Sequence, residues 1–100
     1  MYPLLLNTGV NKMFVIVTYD VSTKRVSKVM KICRKYLMHI QRSVFEGMIT
    51  ESKMNKLKQE LATAIKYDED AICIYKLNNL KYTSKEQIGV TKINDNIIGG

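Results

Sequence analysis

The sequence predicts an α+β sandwich in which two amphipathic helices lie on one face of an antiparallel sheet. Three observations carry this expectation. First, FVIVTYDV (Phe14 to Val21) and AICIYKL (Ala71 to Leu77) are apolar, β-branched runs without the alternation of a strand that has one wet face. Second, two stretches repeat apolar residues at helical spacing. Third, the order reads β-α-β-β-α-β with a short tail strand, which is the split βαβ, or ferredoxin-like, arrangement. One hundred residues form a single domain with a thin core, so oligomerisation is a reasonable expectation. A 46% hydrophobic content and a single proline exclude a disordered chain.

Residues 1–12 read as an extension that precedes the domain at 13–100, with Pro3, Asn7, Thr8, Gly9 and Asn11 as turn signals. Met13 opens the first strand, which ends in Asp20. Aspartate is disfavoured inside strands and costly to bury unpaired, so it belongs where the strand leaves the core. There it is either a metal ligand beside a nucleic-acid backbone, or a turn residue that caps the first helix or pairs with Lys24 or Arg25.

Ser22 or Thr23 supplies an N-cap for a helix from Lys24 to Met38. Val26, Val29, Met30, Cys33 and Leu37 form its apolar stripe. Lys24, Arg25, Lys28, Lys31, Arg34 and Lys35 occupy its other faces with no acid among them. Such a helix repels itself unless an anion binds, so the face is either solvated or a phosphate contact.

His39 to Thr50 alternates, with Ile40, Val44 and Met48 on one side of a strand and Gln41, Ser43, Phe45 and Ile49 on the other. Glu46 and Gly47 near its middle suggest a bulge or the close approach of another backbone. Thr50 or Ser52 caps a second helix, Glu51 to Ile65, with the stripe Met54, Leu57, Leu61, Ala64 and Ile65. Tyr67 to Asp70 reads as a solvated acidic turn, since contiguous carboxylates rarely converge on one ion. Ala71 to Leu77 is the next strand, followed by a polar stretch over Lys81 to Gln87 and a short strand at Ile88 to Val90. Asn94 to Asn96 turn again, and Ile97 and Ile98 suggest a last edge segment. The sheet face without helices is too apolar to be wet, and a second copy covering it resolves the conflict.

Charge narrows the partners. Sixteen basic against nine acidic residues give +7, which favours nucleic acid ahead of an acidic membrane surface. No apolar run reaches the roughly 18 residues that a transmembrane helix needs, and MYPLLL has no basic n-region. Cys33 and Cys73 sit far apart in apolar patterns and read as reduced, buried residues of a cytoplasmic protein.

Several segments together resemble the CRISPR-associated Cas2 family, the small adaptation protein that partners the Cas integrase. They are TYDV (Thr18 to Val21), RVSKVMKICRKYL (Arg25 to Leu37), QRSVFEG (Gln41 to Gly47), DAICIYKL (Asp70 to Leu77) and IGV (Ile88 to Val90). The resemblance implies a homodimer whose last strand extends the partner's sheet. It also implies spacer acquisition, in which the dimer bridges integrase dimers and holds duplex DNA. A magnesium-dependent endonuclease activity on single-stranded RNA or double-stranded DNA is implied as well. In that description Asp20 is the catalytic metal ligand, binding Mg2+ or another divalent cation at the dimer interface together with its mate. Tyr19, Arg34 and Phe45 are the other implicated positions.

The residues themselves leave the chemistry open. Magnesium prefers oxygen ligands and keeps several waters, so one Asp20 is a poor site and two make a plausible shared one. His39 reads as a surface or capping residue at a helix end rather than a base. Phe45 reads as packing rather than a base-stacking platform, and Arg34 and Arg42 as phosphate contacts. Three functional readings result: a DNA-binding scaffold subunit, a magnesium-dependent phosphodiesterase, and a stand-alone, toxin-like RNA endonuclease of the same fold.

Overall fold

The computed structural model describes residues 12–78 and 81–90. Five strands and two helices follow in the order β1 (Lys12–Asp20), α1 (Val26–Arg34), β2 (Met38–Gln41), β3 (Val44–Thr50), α2 (Glu51–Ala64), β4 (Ala71–Asn78) and β5 (Lys81–Gly89). They form one antiparallel sheet in the order β2-β3-β1-β4-β5, a ferredoxin-like sheet with β5 added beyond β4. Central β1 pairs with β3 on one side and β4 on the other.

Strand alternation sorts the side chains. Val15, Val17 and Tyr19 of β1, Phe45 and Ile49 of β3, and Ile72 and Ile74 of β4 point toward the helices and are buried. All five stripe residues of α2 (Met54, Leu57, Leu61, Ala64 and Ile65) close over them, as do Val29, Ile32, Cys33 and Leu37 from α1 and the turn after it. Each large side chain fully buried this way contributes roughly 1.5–3 kcal/mol of transfer free energy. Phe14, Ile16, Thr18 and Asp20 point to the opposite face, where neither of the described helices lies. Met38, Ile40 and Met48 stand 68%, 46% and 55% exposed on that same face.

Four expectations change. The stretch 39–50 is a hairpin of two strands rather than one strand, because the chain reverses at Arg42 with a positive φ of 28°. His39 therefore lies on strand β2, not at a helix end. Helix α1 is shorter than 24–38: no side chain caps it, the Ser22 carbonyl accepts from the Arg25 and Val26 amides, and Ser22 Oγ accepts from Lys24 N. The polar stretch before Ile88 belongs to strand β5, because it completes an antiparallel ladder along the whole of β4. Of the two readings of Gly47, a bulge or a close approach, the structure bears out the close approach. Its φ of 156° disfavours other residues, and a Cβ there would meet the Leu37 side chain at 3.4 Å where the chain leaves α1. By contrast, Thr50 caps α2 as expected, its Oγ1 accepting from Lys53 N at 3.2 Å. The tail segment at 97–98, its turn, and residues 1–11 of the extension lie outside the described residues.

Candidate nucleic-acid interface and acidic site

Asp20 ends β1 on the helix-free face, exposed, opposite Ala71 of β4. It lines an open cleft with Thr18, Tyr19, Ser43, Ala71, Cys73 and Gln87. The hydroxyls of Thr18 and Ser43, the Asp20 carboxylate and the Gln87 amide oxygen are hard oxygen donors, the class that Mg2+ takes. Among the described residues no three His, Cys, Asp or Glu side chains converge on one point.

The structure divides the six cations around α1 into two groups. Arg25 turns inward: its Nε lies 2.5 Å from Asp70 Oδ2, and its Nη2 lies 2.7 Å from Glu69 Oε1 and 3.1 Å from Asp70 Oδ1. Lys35 pairs with Glu60 of α2, which also accepts from the Tyr36 hydroxyl. Lys24, Lys28, Lys31 and Arg34 are exposed, and none of them enters an ion pair among the described residues. Lys28, Lys31 and Arg34, spaced by three, follow one another along α1, and Lys24 stands in the turn just before it. Arg42, exposed at the β2–β3 turn, is a further cation at the sheet's edge. The expected unbalanced helix of six is thus a stripe of four, because acids distant in sequence neutralise the other two.

The acidic turn is also different from the solvated one expected. Asp68 and Glu69 are exposed, but Asp70 is fully buried. Its carboxylate accepts from Ser22 N and Lys66 N, each at 2.9 Å, as well as from Arg25. The Arg25 guanidinium above all holds the Asp70 carboxyl far below the usual carboxylate range, with the two backbone amides adding to it. Sequence gave no sign of this pairing, since its partners are 45 residues apart.

Phe45 is wholly buried, its ring 4.5 Å from that of His39 and 6.2 Å from that of Tyr19. His39 Nε2 donates to the Arg42 carbonyl at 2.6 Å. The Tyr19 hydroxyl is buried without a hydrogen-bond partner among the described residues, and its pKa is raised mainly by that burial. Cys33 is sealed in the core, where burial pushes its thiol up to about 12.

Acid sensitivity follows from these pairs. Asp70, Glu69, Glu60 and Glu86 all have lowered pKa values, caused first by Arg25, Arg25, Lys35 and Lys76 respectively. A depressed folded-state pKa stabilises above the unfolded value and is lost as pH falls. The melting temperature should therefore hold above about pH 5 and fall steadily below about pH 4. Circular-dichroism melts across this range check it. Asp70→Asn should start lower and show a shallower acid slope.

Comparison with known proteins places the chain. Residues 13–85 match the family described as CRISPR associated protein Cas2. The chain belongs to that family. Two curated relatives, each named CRISPR-associated endoribonuclease Cas2, span nearly the same length. The one from Dictyoglomus turgidum is 42% identical over 80 residues, 80% of this chain and 92% of its own. The one from Thermotoga maritima is 43% identical over 86 residues, 86% of this chain and 99% of its own. A Cas2 crystal structure superposes with a TM-score of 0.66 at 33% identity, covering 82% of this chain and 92% of that one. No helix among the described residues is long and apolar enough to cross a membrane.

Proposed function

We propose that this Cas2 family member is a homodimeric, divalent-cation-dependent nuclease that grips nucleic-acid backbone with helix α1. We further propose that it serves spacer acquisition by holding duplex DNA and bridging dimers of the Cas integrase. The observation that carries the reading is the stripe Lys24, Lys28, Lys31 and Arg34, four exposed cations on and just before α1 that enter no ion pair among the described residues. Such a stripe neutralises phosphates without reading bases, as a subunit holding arbitrary spacer DNA must.

A second copy of the chain is the occupant proposed for the helix-free face. Met38, Ile40 and Met48 are exposed there next to Phe14, Ile16 and Val44, and a two-fold axis buries each patch against itself. Asp20 lies at the rim of this face, so an axis near the end of β1 brings two carboxylates together. A divalent cation bound there supplies Lewis-acid polarisation of a phosphoryl oxygen and acidifies a water. The chain's own part is to offer Asp20 as a hard oxygen ligand, to hold the phosphates on α1, and to exclude bulk water through the apolar face.

The curated relatives are named CRISPR-associated endoribonucleases, which supports RNA as a cleaved substrate; the second reading is a stand-alone, toxin-like enzyme of the same fold that cuts RNA. Cleavage of single-stranded RNA and duplex DNA with Mg2+ and with chelator, beside a pull-down of integrase by tagged protein, separates the two. RNA cleavage without integrase capture supports the second reading; integrase capture supports the first. Binding itself should weaken steeply with salt. A log–log slope near −0.9 for each duplex phosphate contacted is expected between about 50 and 300 mM NaCl, and Lys28→Glu with Lys31→Glu should flatten it. Affinity independent of salt contradicts the α1 interface.

A further inference from the structure

Asp70 lies in none of the groups that bind or cut in the reading above, yet its contacts bracket the segment that follows Asp20. Its carboxylate is fully buried and takes four donors: Ser22 N and Arg25 Nη2 on Oδ1, and Arg25 Nε and Lys66 N on Oδ2. That satisfies about all the lone-pair positions a carboxylate has. A buried ion pair is a poor way to gain stability, since desolvation offsets much of its attraction and an apolar replacement often serves as well. What this one provides is direction.

The strand register shows what it directs. Asp20 pairs with Ala71, and Ala71 pairs with Gly89, so the ends of β1, β4 and β5 lie side by side. Asp70 precedes Ala71. Its side chain holds Ser22, two residues beyond Asp20, and its carbonyl accepts from Val90 N at 2.9 Å. Gly89 makes that last approach possible: its φ is +95°, and a Cβ there would lie 2.0 Å from the Asp70 carbonyl oxygen. Asp20 is thus fixed on one side by the ladder and on the other by the Ser22 anchor, both through the same short segment. Arg25 clamps that segment from the start of α1.

We propose that Asp70, clamped by Arg25, is the positioning residue that sets the Asp20 carboxylate and links the β1–α1 turn to the end of β5. The proposal rests on the nuclease reading for its consequence, but its structural core is testable without it.

The test uses the full-length protein with Asp70→Asn and, as the milder change, Arg25→Lys, which keeps the charge and loses the fork. Amide hydrogen exchange read by NMR should show Ser22, Arg25, Val26 and Val90 exchanging about tenfold faster or more in both variants, with Val15, Val17, Ile72 and Ile74 little changed. Cation-dependent cleavage should lose about 10–100-fold in kcat, Arg25→Lys less than Asp70→Asn, with KM nearly constant. If Asp70→Asn fails to fold, Arg25→Lys carries both readouts. Wild-type exchange at the turn overturns the proposal, and so does a loosened turn with unchanged kcat or with the loss appearing only in KM. A wild-type protein that cuts nothing overturns the nuclease reading instead. The exchange data then decide alone: faster turn amides support the positioning role, and unchanged ones refute it.

Discussion

Replacing Asp20 by Asn is expected to lower cation-dependent cleavage by about a hundredfold or more, because a metal-stabilised phosphoryl transition state owes several kcal/mol to the ion and each 1.36 kcal/mol is a factor of ten. The amide keeps the size of the carboxylate and loses the charge that a hard cation requires. The side chain is exposed at the end of β1, so the fold should tolerate the change with little loss of stability. Nucleic-acid binding should persist, since the α1 stripe is untouched. Single-turnover cleavage at saturating substrate, beside a salt-matched binding assay, separates these effects. Spacer integration that survives in Asp20→Asn together with the integrase partner assigns the adaptation role to scaffolding and leaves cleavage as a separate activity.

The second large effect concerns stability. Phe45→Ala should cost about 3–5 kcal/mol, the range for truncating a buried aromatic side chain. Its ring is wholly buried between those of Tyr19 and His39, so truncation leaves a cavity that packed neighbours fill only in part. In a domain of this size each kcal/mol lowers the melting temperature by about 4–8 °C, so a drop of at least about 12 °C is expected. The Tyr19 hydroxyl, already without a partner among the described residues, would then border a cavity. Phe45→Leu should lose markedly less. The pair also separates packing from base stacking. If Phe45 acts by packing, Phe45→Leu binds nucleic acid as the wild type does; if it stacks on a base, affinity falls without a matching loss of stability.

Periodicity made most of the fold legible. The α2 stripe is buried residue for residue, and the β-branched runs became β1 and β4 at the centre of the sheet. What escaped notice has two physical causes, one unusual turn residue and pairing between residues distant in sequence. The β2–β3 turn has Arg42 in a positive-φ conformation instead of a glycine, so alternation ran through it unbroken. Strand β5 is polar because it lies beyond β4, where Glu86 reaches Lys58 of α2 and Lys76 of β4. Asp70 looked like one of three turn acids because Arg25, its partner, lies 45 residues earlier. The placement of the candidate site residues was readable to the same degree. The position of Asp20 at a strand exit and the basic helix were visible in the residues. That Arg25 and Lys35 are occupied by acids within the fold was not, since charge counting along one helix does not see what packs against it.

The central claim is that two chains share one cation site built on Asp20. Titration of the full-length protein with Mn2+, followed by the electron paramagnetic resonance signal of the free ion, counts that site directly. One ion per two chains, absent in Asp20→Asn, is the predicted result. One ion in every chain, or a site that persists in Asp20→Asn, would contradict it.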